Sequence, residues 1–211
     1  MSTATKRKNA GGTPATTAAF TLIELIVVIA IITILVGLVL STVGYVQKKA
    51  ARSRAETEIA ALSAACESYK ADNGVYPRGQ STSTPAPTVP PYTVAATATD
   101  DLNARVNTDA TQKIYQDASR YLYEQLSGDV NLDLAADTGS KSYFAFKNSM
   151  LAVIKDSNGN VIGLSHIKDP FGNSYGYSTA NQANQSNGYN PTFDLWSTTN
   201  STDPNQWIKN W

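Results

Sequence analysis

Between Phe20 and Val43 the chain is apolar apart from Glu24 and a few small or hydroxyl residues. That run constrains everything else the chain can do. As a helix, about 24 residues measure roughly 36 Å, enough to cross a hydrocarbon core of about 30 Å. The apolar core of a secretory signal spans only roughly 7–15 residues, so the run reads as a membrane anchor. Glu24 lies near its start. A carboxylate is expensive in a bilayer, and an intramembrane acid is a functional candidate whose partner has to be named.

No helix breaker follows. Residues 45–72 are mostly good helix formers, with Ala55, Ile59, Leu62, Cys66 and Tyr69 recurring at steps of four and three on one face. Asn73-Gly74 and then Pro77 supply the stop signal. The expectation is one helix from Phe20 to about Asn73, on the order of 80 Å long. Its first part, 20–44, is the membrane segment, and 45–73 is an amphipathic continuation. Ahead of it, residues 1–19 are polar, basic at Lys6, Arg7 and Lys8, and without helical or strand period.

Residues 74–211 suffice for one small folded domain. A stretch rich in Pro, Thr, Ser and Ala begins at Arg78, and 78–112 is read as a surface loop that need not pack. Ile114, Ala118, Tyr121, Leu122 and Leu126 have helical spacing and end at Gly128, which gives a second, short helix. From Ser142 onward short β-prone runs dominate: "SYFAF", "MLAVI", "NVIGLSHI", an aromatic run after "DPFGN", and "TFDLWST". Asn158-Gly159 between the second and third is a strong hairpin signal. The predicted fold class is α+β: a long N-terminal helix packed by its striped face on a small antiparallel sheet, with the tail tied down through its tryptophans.

Charge and motifs exclude much. Lys plus Arg and Asp plus Glu are balanced at 17 each, which argues against a nucleic-acid binder driven by bulk charge. Removing Lys6, Arg7 and Lys8 with the N-terminal segment leaves the remainder acidic by three. The one cysteine, Cys66, rules out an internal disulfide framework and lies on the apolar stripe as a core residue. His166, the one histidine, follows Ser165 in a context unlike the G-x-S-x-G elbow, and reads as a sheet residue. "DSNGN" at 156–160 lacks the length and closing Glu of a calcium loop and reads as a turn. No phosphate loop, zinc spacing or dinucleotide fingerprint is present, and no enzymatic activity is expected.

The basic leader, the motif "AFTLIEL" at 19–25, the apolar stretch and the amphipathic helix together resemble the type IV pilin and type II secretion pseudopilin superfamily. Downstream, "YKADNGVYP" at 69–77, "DPFGNSYGY" at 169–177, "FDLWS" at 193–197 and the final "NW" are similar to its major-pseudopilin branch. The resemblance implies that a prepilin peptidase cuts between Ala19 and Phe20 and methylates the new amino group of Phe20. The family usually has Gly before the cut; Ala19 is small enough for the site. Phe20 and Glu24 are then the assembly residues, the Glu24 of one subunit meeting the Phe20 amine of its neighbour. The family commonly carries a Gly- and Asp-rich loop resembling a calcium site after "DLWS"; here "TTNSTDPNQ" has Asp203 as its one acid. Calcium prefers six to eight oxygens, several of them carboxylate, so it is disfavoured and no cofactor is expected.

Three basic residues precede the anchor and Lys48, Lys49, Arg52 and Arg54 follow it, so charge bias alone barely orients the segment. The resemblance implies an inner-membrane, single-pass protein with its N-terminus cytoplasmic and its globular domain periplasmic. It also implies polymerisation into a pseudopilus for type II secretion. The expected partners are further copies of the chain, the peptidase, an ATPase-driven inner-membrane assembly platform and minor pseudopilins. The alternatives are a type IV pilus subunit for adhesion, motility or DNA uptake, and a membrane-anchored ligand-binding module.

Overall fold

A computed structural model describes residues 20–79 and 98–211 in full, and residues 88–89 and 92–93 as backbone. The leader 1–19 and most of 80–97 lie outside the described residues. The chain divides into two units at Val46/Gln47. The first unit is the apolar part of helix α1 (Leu22–Asn73), and every described side chain in it up to Val46 is exposed.

Within the second unit α1 is buried along one stripe: Ala55, Ile59, Leu62, Ala65 and Cys66. Tyr69 packs against the same core from a half-buried position. The expected stripe is therefore the packed one, with Ala65 added beside it. The helix stops at Asn73, where Gly74 has φ +76° and donates its N–H to the Lys70 carbonyl at 2.7 Å. A glycine takes that left-handed conformation without a Cβ clash.

Helix α3 (Lys113–Ser127) ends in the same way at Gly128, φ +75°. "SYFAF" is not a strand. The N–H groups of Tyr143 and Phe144 both donate to the Leu126 carbonyl, at 2.7 and 3.0 Å, so this segment satisfies the C-terminal end of α3 instead of pairing in a sheet. Phe144 and Phe146 then pack edge to face, with Phe146 4.8 Å from the Tyr123 ring.

Strands β3 (Leu151–Lys155) and β4 (Val161–Ile167) form the hairpin expected around Asn158-Gly159. Its turn closes through Gly159 N–H to the Asp156 carbonyl at 3.0 Å, while Asp156 Oδ1 accepts from the amides of Asn158 and Asn160. A separate three-stranded antiparallel sheet has the order β5 (Gly176–Ser178), β6 (Asp194–Ser197), β7 (Ile208–Lys209). From Leu151 onward the strands thus form two sheets where one was expected. Between them the turn 169–173 interrupts the ladder: buried Asp169 accepts from the amides of Phe171 and Asn173 and from the Ser197 hydroxyl. A single Lys168–Ser174 bridge and the Tyr175 N–H to Ile167 carbonyl bond carry the connection across.

The stretch 78–112 splits in two. Its second half is packed: α2 (Ala98–Asp101) with Leu102, Ala104 and Ala110 forms a second core cluster with Tyr115, Ala118, Trp196 and Trp207. Its base is clasped, since Arg78 donates from Nε to Asp100 Oδ1 and from Nη2 to Oδ2, each at 3.0 Å, and Gly79 N–H donates to Thr99 Oγ1 at 2.9 Å. Two short strands, β1 (Thr88–Val89) and β2 (Tyr92–Thr93), pair within the remainder. The one-turn helix α4 (Ala180–Ala183) follows β5. The tail is held as expected, with Trp207 stacked 5.9 Å from Trp196 and Trp211 stacked 4.8 Å from Tyr189.

Candidate assembly site

The start of α1 is a capping box. Thr21 is the residue before the helix, and Glu24 stands three positions on. Thr21 N–H and Thr21 Oγ1 both donate to Glu24 Oε2, at 2.9 and 2.7 Å, and Glu24 N–H reaches back to Thr21 Oγ1 at 3.3 Å. An amide at each end of the first turn is thereby satisfied, and the positive end of the helix dipole favours the carboxylate there. The pattern Thr-Leu-Ile-Glu was legible as a capping box in the sequence, but the apolar context drew attention to Glu24 alone. Phe20 is 85% exposed beside it. Ala19 lies outside the described residues.

Behind this cap the helix surface is uniform. The helix is long and apolar enough to cross a membrane, and its most apolar stretch is wholly exposed. The hydroxyls within it are turned back on the helix: Thr33 donates to the Ile29 carbonyl, Ser41 to Leu38 and Thr42 to Val39, at 2.8–3.0 Å. Back-bonded hydroxyls of this kind need no outside partner, as an apolar surrounding requires. Glu24 is the one charged side chain between Phe20 and Gln47. Among the described residues, a Cβ added at Gly37 or Gly44 would meet nothing within 4 Å.

The other chemistry-bearing residues have ordinary surroundings. Cys66 is fully buried, and burial pushes its thiol pKa up, away from the reactive thiolate. His166 Nδ1 lies 2.9 Å from the hydroxyl of its neighbour Ser165. Burial, with Arg120 and Lys168 nearby, pulls its pKa down to about 4 and keeps the ring neutral. In the loop after β6, Asp203 Oδ1 accepts from the amide and the side chain of Asn205, at 3.0 and 2.9 Å. Thr199 and Asn200 have positive φ there, and Asn200 Oδ1 takes the Asn173 side-chain amide at 2.8 Å. Among the described residues no three His, Cys, Asp or Glu side chains converge on one point.

Sequence reasoning missed one buried polar cluster. Ser119 and Ser174 hydroxyls lie 2.9 Å apart, and Arg120, 2% exposed, donates to the Ser165 carbonyl at 2.8 Å from the same face of α3. These bonds tie α3 to β4 and to the turn before β5. The apolar positions of α3 were readable from their period, but which of its polar residues turn inward is decided by partners more than 40 positions away.

Comparison with protein-family models gives no match, and comparison with solved structures gives none either. Among curated proteins the chain is similar to the type II secretion system core protein G of Escherichia coli (strain K12), at 41% identity over 75 residues. The matched segment is 34% of this chain and 52% of that protein, so the chain spans about half the length of the relative it matches. The resemblance first read from "AFTLIEL" is thereby borne out by a sequence relative of the secretion class.

Proposed function

We propose that the chain is a pseudopilin-type structural subunit that polymerises through α1 into a filament serving type II secretion. The observation that carries this reading is an exposed apolar segment of α1 whose one carboxylate sits in the first turn, in a chain similar to a type II secretion core protein. In the isolated subunit Thr21 donates two hydrogen bonds to one oxygen of the Glu24 carboxylate, which lowers the cost of holding that charge at the edge of a bilayer. A prepilin peptidase cut between Ala19 and Phe20 creates a new ammonium four residues from Glu24. In the filament Glu24 meets the Phe20 ammonium of a neighbour, and the apolar faces of successive α1 helices replace lipid with protein. Correct axial register pairs both charges, whereas misregister leaves a buried charge alone at a cost of several kcal/mol. The assembly platform and minor pseudopilins supply the energy and the starting point. No chemistry on a substrate is involved.

Two measurements test this. Mass spectrometry of the membrane-extracted chain should find an N-terminal peptide that begins at Phe20 and carries one N-terminal methyl group. Glu24→Ala should abolish filaments while the domain beyond Gln47 melts as in the wild type. A mature chain that retains residues 1–19 with an unmodified Phe20 sinks the reading.

A further inference from the structure

Four cations follow the apolar segment of α1 within about three turns: Lys48, Lys49, Arg52 and Arg54. The structure divides them. Arg52 pairs with Glu56 at 3.4 Å and donates to the Gln206 carbonyl at 3.2 Å. Arg54 pairs with Glu58 at 3.6 Å, and Glu58 in turn accepts from the Tyr175 hydroxyl at 2.7 Å. Both arginines therefore belong to the folded domain. Lys48 and Lys49 are exposed and have no hydrogen-bond or ion-pair partner among the described residues.

Nothing on their own helix supplies one. The positions three and four residues away from Lys48 are Tyr45, Gly44, Ala51 and Arg52; those from Lys49 are Val46, Tyr45, Arg52 and Ser53. The one charge among them is a like charge, which on a helix repels where an acid would stabilise. Just before the pair stands Tyr45, 71% exposed, whose ring is apolar and whose hydroxyl is polar. Tyrosine followed by lysine at the end of an apolar helix is the pattern of a membrane–water boundary, with the ring at headgroup level and the lysine stems lying along apolar surface. From Leu22 to Tyr45 the helix rises on the order of 35 Å, which brings Tyr45 and the lysines past a core of about 30 Å.

We propose that Lys48 and Lys49, beside Tyr45, bind the phosphates of anionic phospholipids at the C-terminal end of the membrane segment. The occupant follows from charge: two adjacent cations with no anionic partner among the described residues, continuous with the surface that lies in lipid. The contact rests on the membrane-spanning reading above. It makes the lipid-held state of the subunit stronger in an anionic leaflet, and its loss becomes part of the cost of leaving the bilayer.

The test uses the full chain, immobilised in mixed detergent micelles containing phosphatidylglycerol and phosphatidylcholine, with the retained lipid quantified. The wild type should retain phosphatidylglycerol preferentially. Lys48→Gln and Lys49→Gln should each lower that preference about fivefold, and added salt should lower it in the wild type. Arg52→Gln and Arg54→Gln should keep most of it. Retention by the double lysine variant equal to the wild type overturns the proposal, as does an equal loss from the arginine variants. If the lysine variants keep the lipid but lose filaments, the occupant is an acid of a neighbouring subunit and the lipid contact is wrong. Failure of the underlying membrane reading shows separately: alkaline carbonate would then strip the wild-type chain from cell membranes.

Discussion

Glu124 on α3 and His166 on β4 titrate in the same pH range with opposite consequences. Burial, reinforced by the charge of Asp129, pushes Glu124 up from 4.5 to about 7, while His166 is pulled down from 6.5 to about 4. Between about 4.5 and 7 the folded chain keeps a proton on Glu124 that the unfolded chain has released. That contribution lowers stability as pH rises. Between about 4 and 6.5 the unfolded chain binds a proton on its histidine that the folded chain refuses, so this contribution raises stability as pH rises. Each slope is at most about 1.4 kcal/mol per pH unit, and in the wild type they largely offset. Glu124→Gln should therefore gain stability relative to the wild type on going from pH 4.5 to 7. His166→Gln should lose relative stability on going from pH 4 to 6.5. Urea melts at half-unit pH intervals check this, and parallel profiles for all three proteins would refute it. The burial of His166 in a sheet was readable from its β-prone run. That of Glu124 was not, because its α3 position looks like a solvated helix face until the fold buries it, with Asp129 close enough for its charge to be felt.

Elements were legible where a local period or a turn signal specified them. The α1 stripe, the α3 repeat, Gly74, Gly128 and the Asn158-Gly159 hairpin all depend on neighbours within a turn or a strand. "SYFAF" and 98–112 depend instead on distant demands: the open carbonyl of Leu126, and a second core around Trp196. That second core makes a sharp prediction. A Cβ built at Gly176 on β5 would lie 2.2 Å from Trp196 Cε2, and Trp196 is fully buried between Trp207 and the edge of Tyr115. The indole has no room to retreat, since its Nε1–H also donates to the Tyr115 hydroxyl at 3.2 Å. Gly176→Ala should destabilise by about 3 kcal/mol, the upper end of the overpacking range. For a domain of this size that lowers Tm by roughly 6–12 °C. Gly37→Ala, which meets open space, should leave the melt of the domain unchanged. Thermal melts followed by tryptophan fluorescence decide, and equal Tm values for the two variants would contradict the packing.

At the scale of the molecule, the buried apolar side chains among the described residues begin at Ala55 and end at Ile208, and the buried members of both core clusters lie inside that interval. The described side chains before Gln47 contribute none. Folding and anchoring are therefore separable. The described side chains of the apolar segment up to Val46 are all exposed, whereas the domain from Gln47 onward closes its own core. A chain cut to residues 47–211 should be soluble without detergent, sediment as a monomer and melt in one cooperative transition. Its Tm should fall within about 4 °C of the domain transition of the full chain in micelles, since the cut removes no buried contact and a change below about 1 kcal/mol corresponds to that shift. Arg52 and its bond to the Gln206 carbonyl remain in the fragment, and the new helix start is more than one turn from Ala55. Differential scanning calorimetry and sedimentation velocity provide the measurement. A broad, non-cooperative melt would mean that the N-terminal segment is needed to complete the domain, and the division at Val46/Gln47 would then fail as a description of how the chain folds.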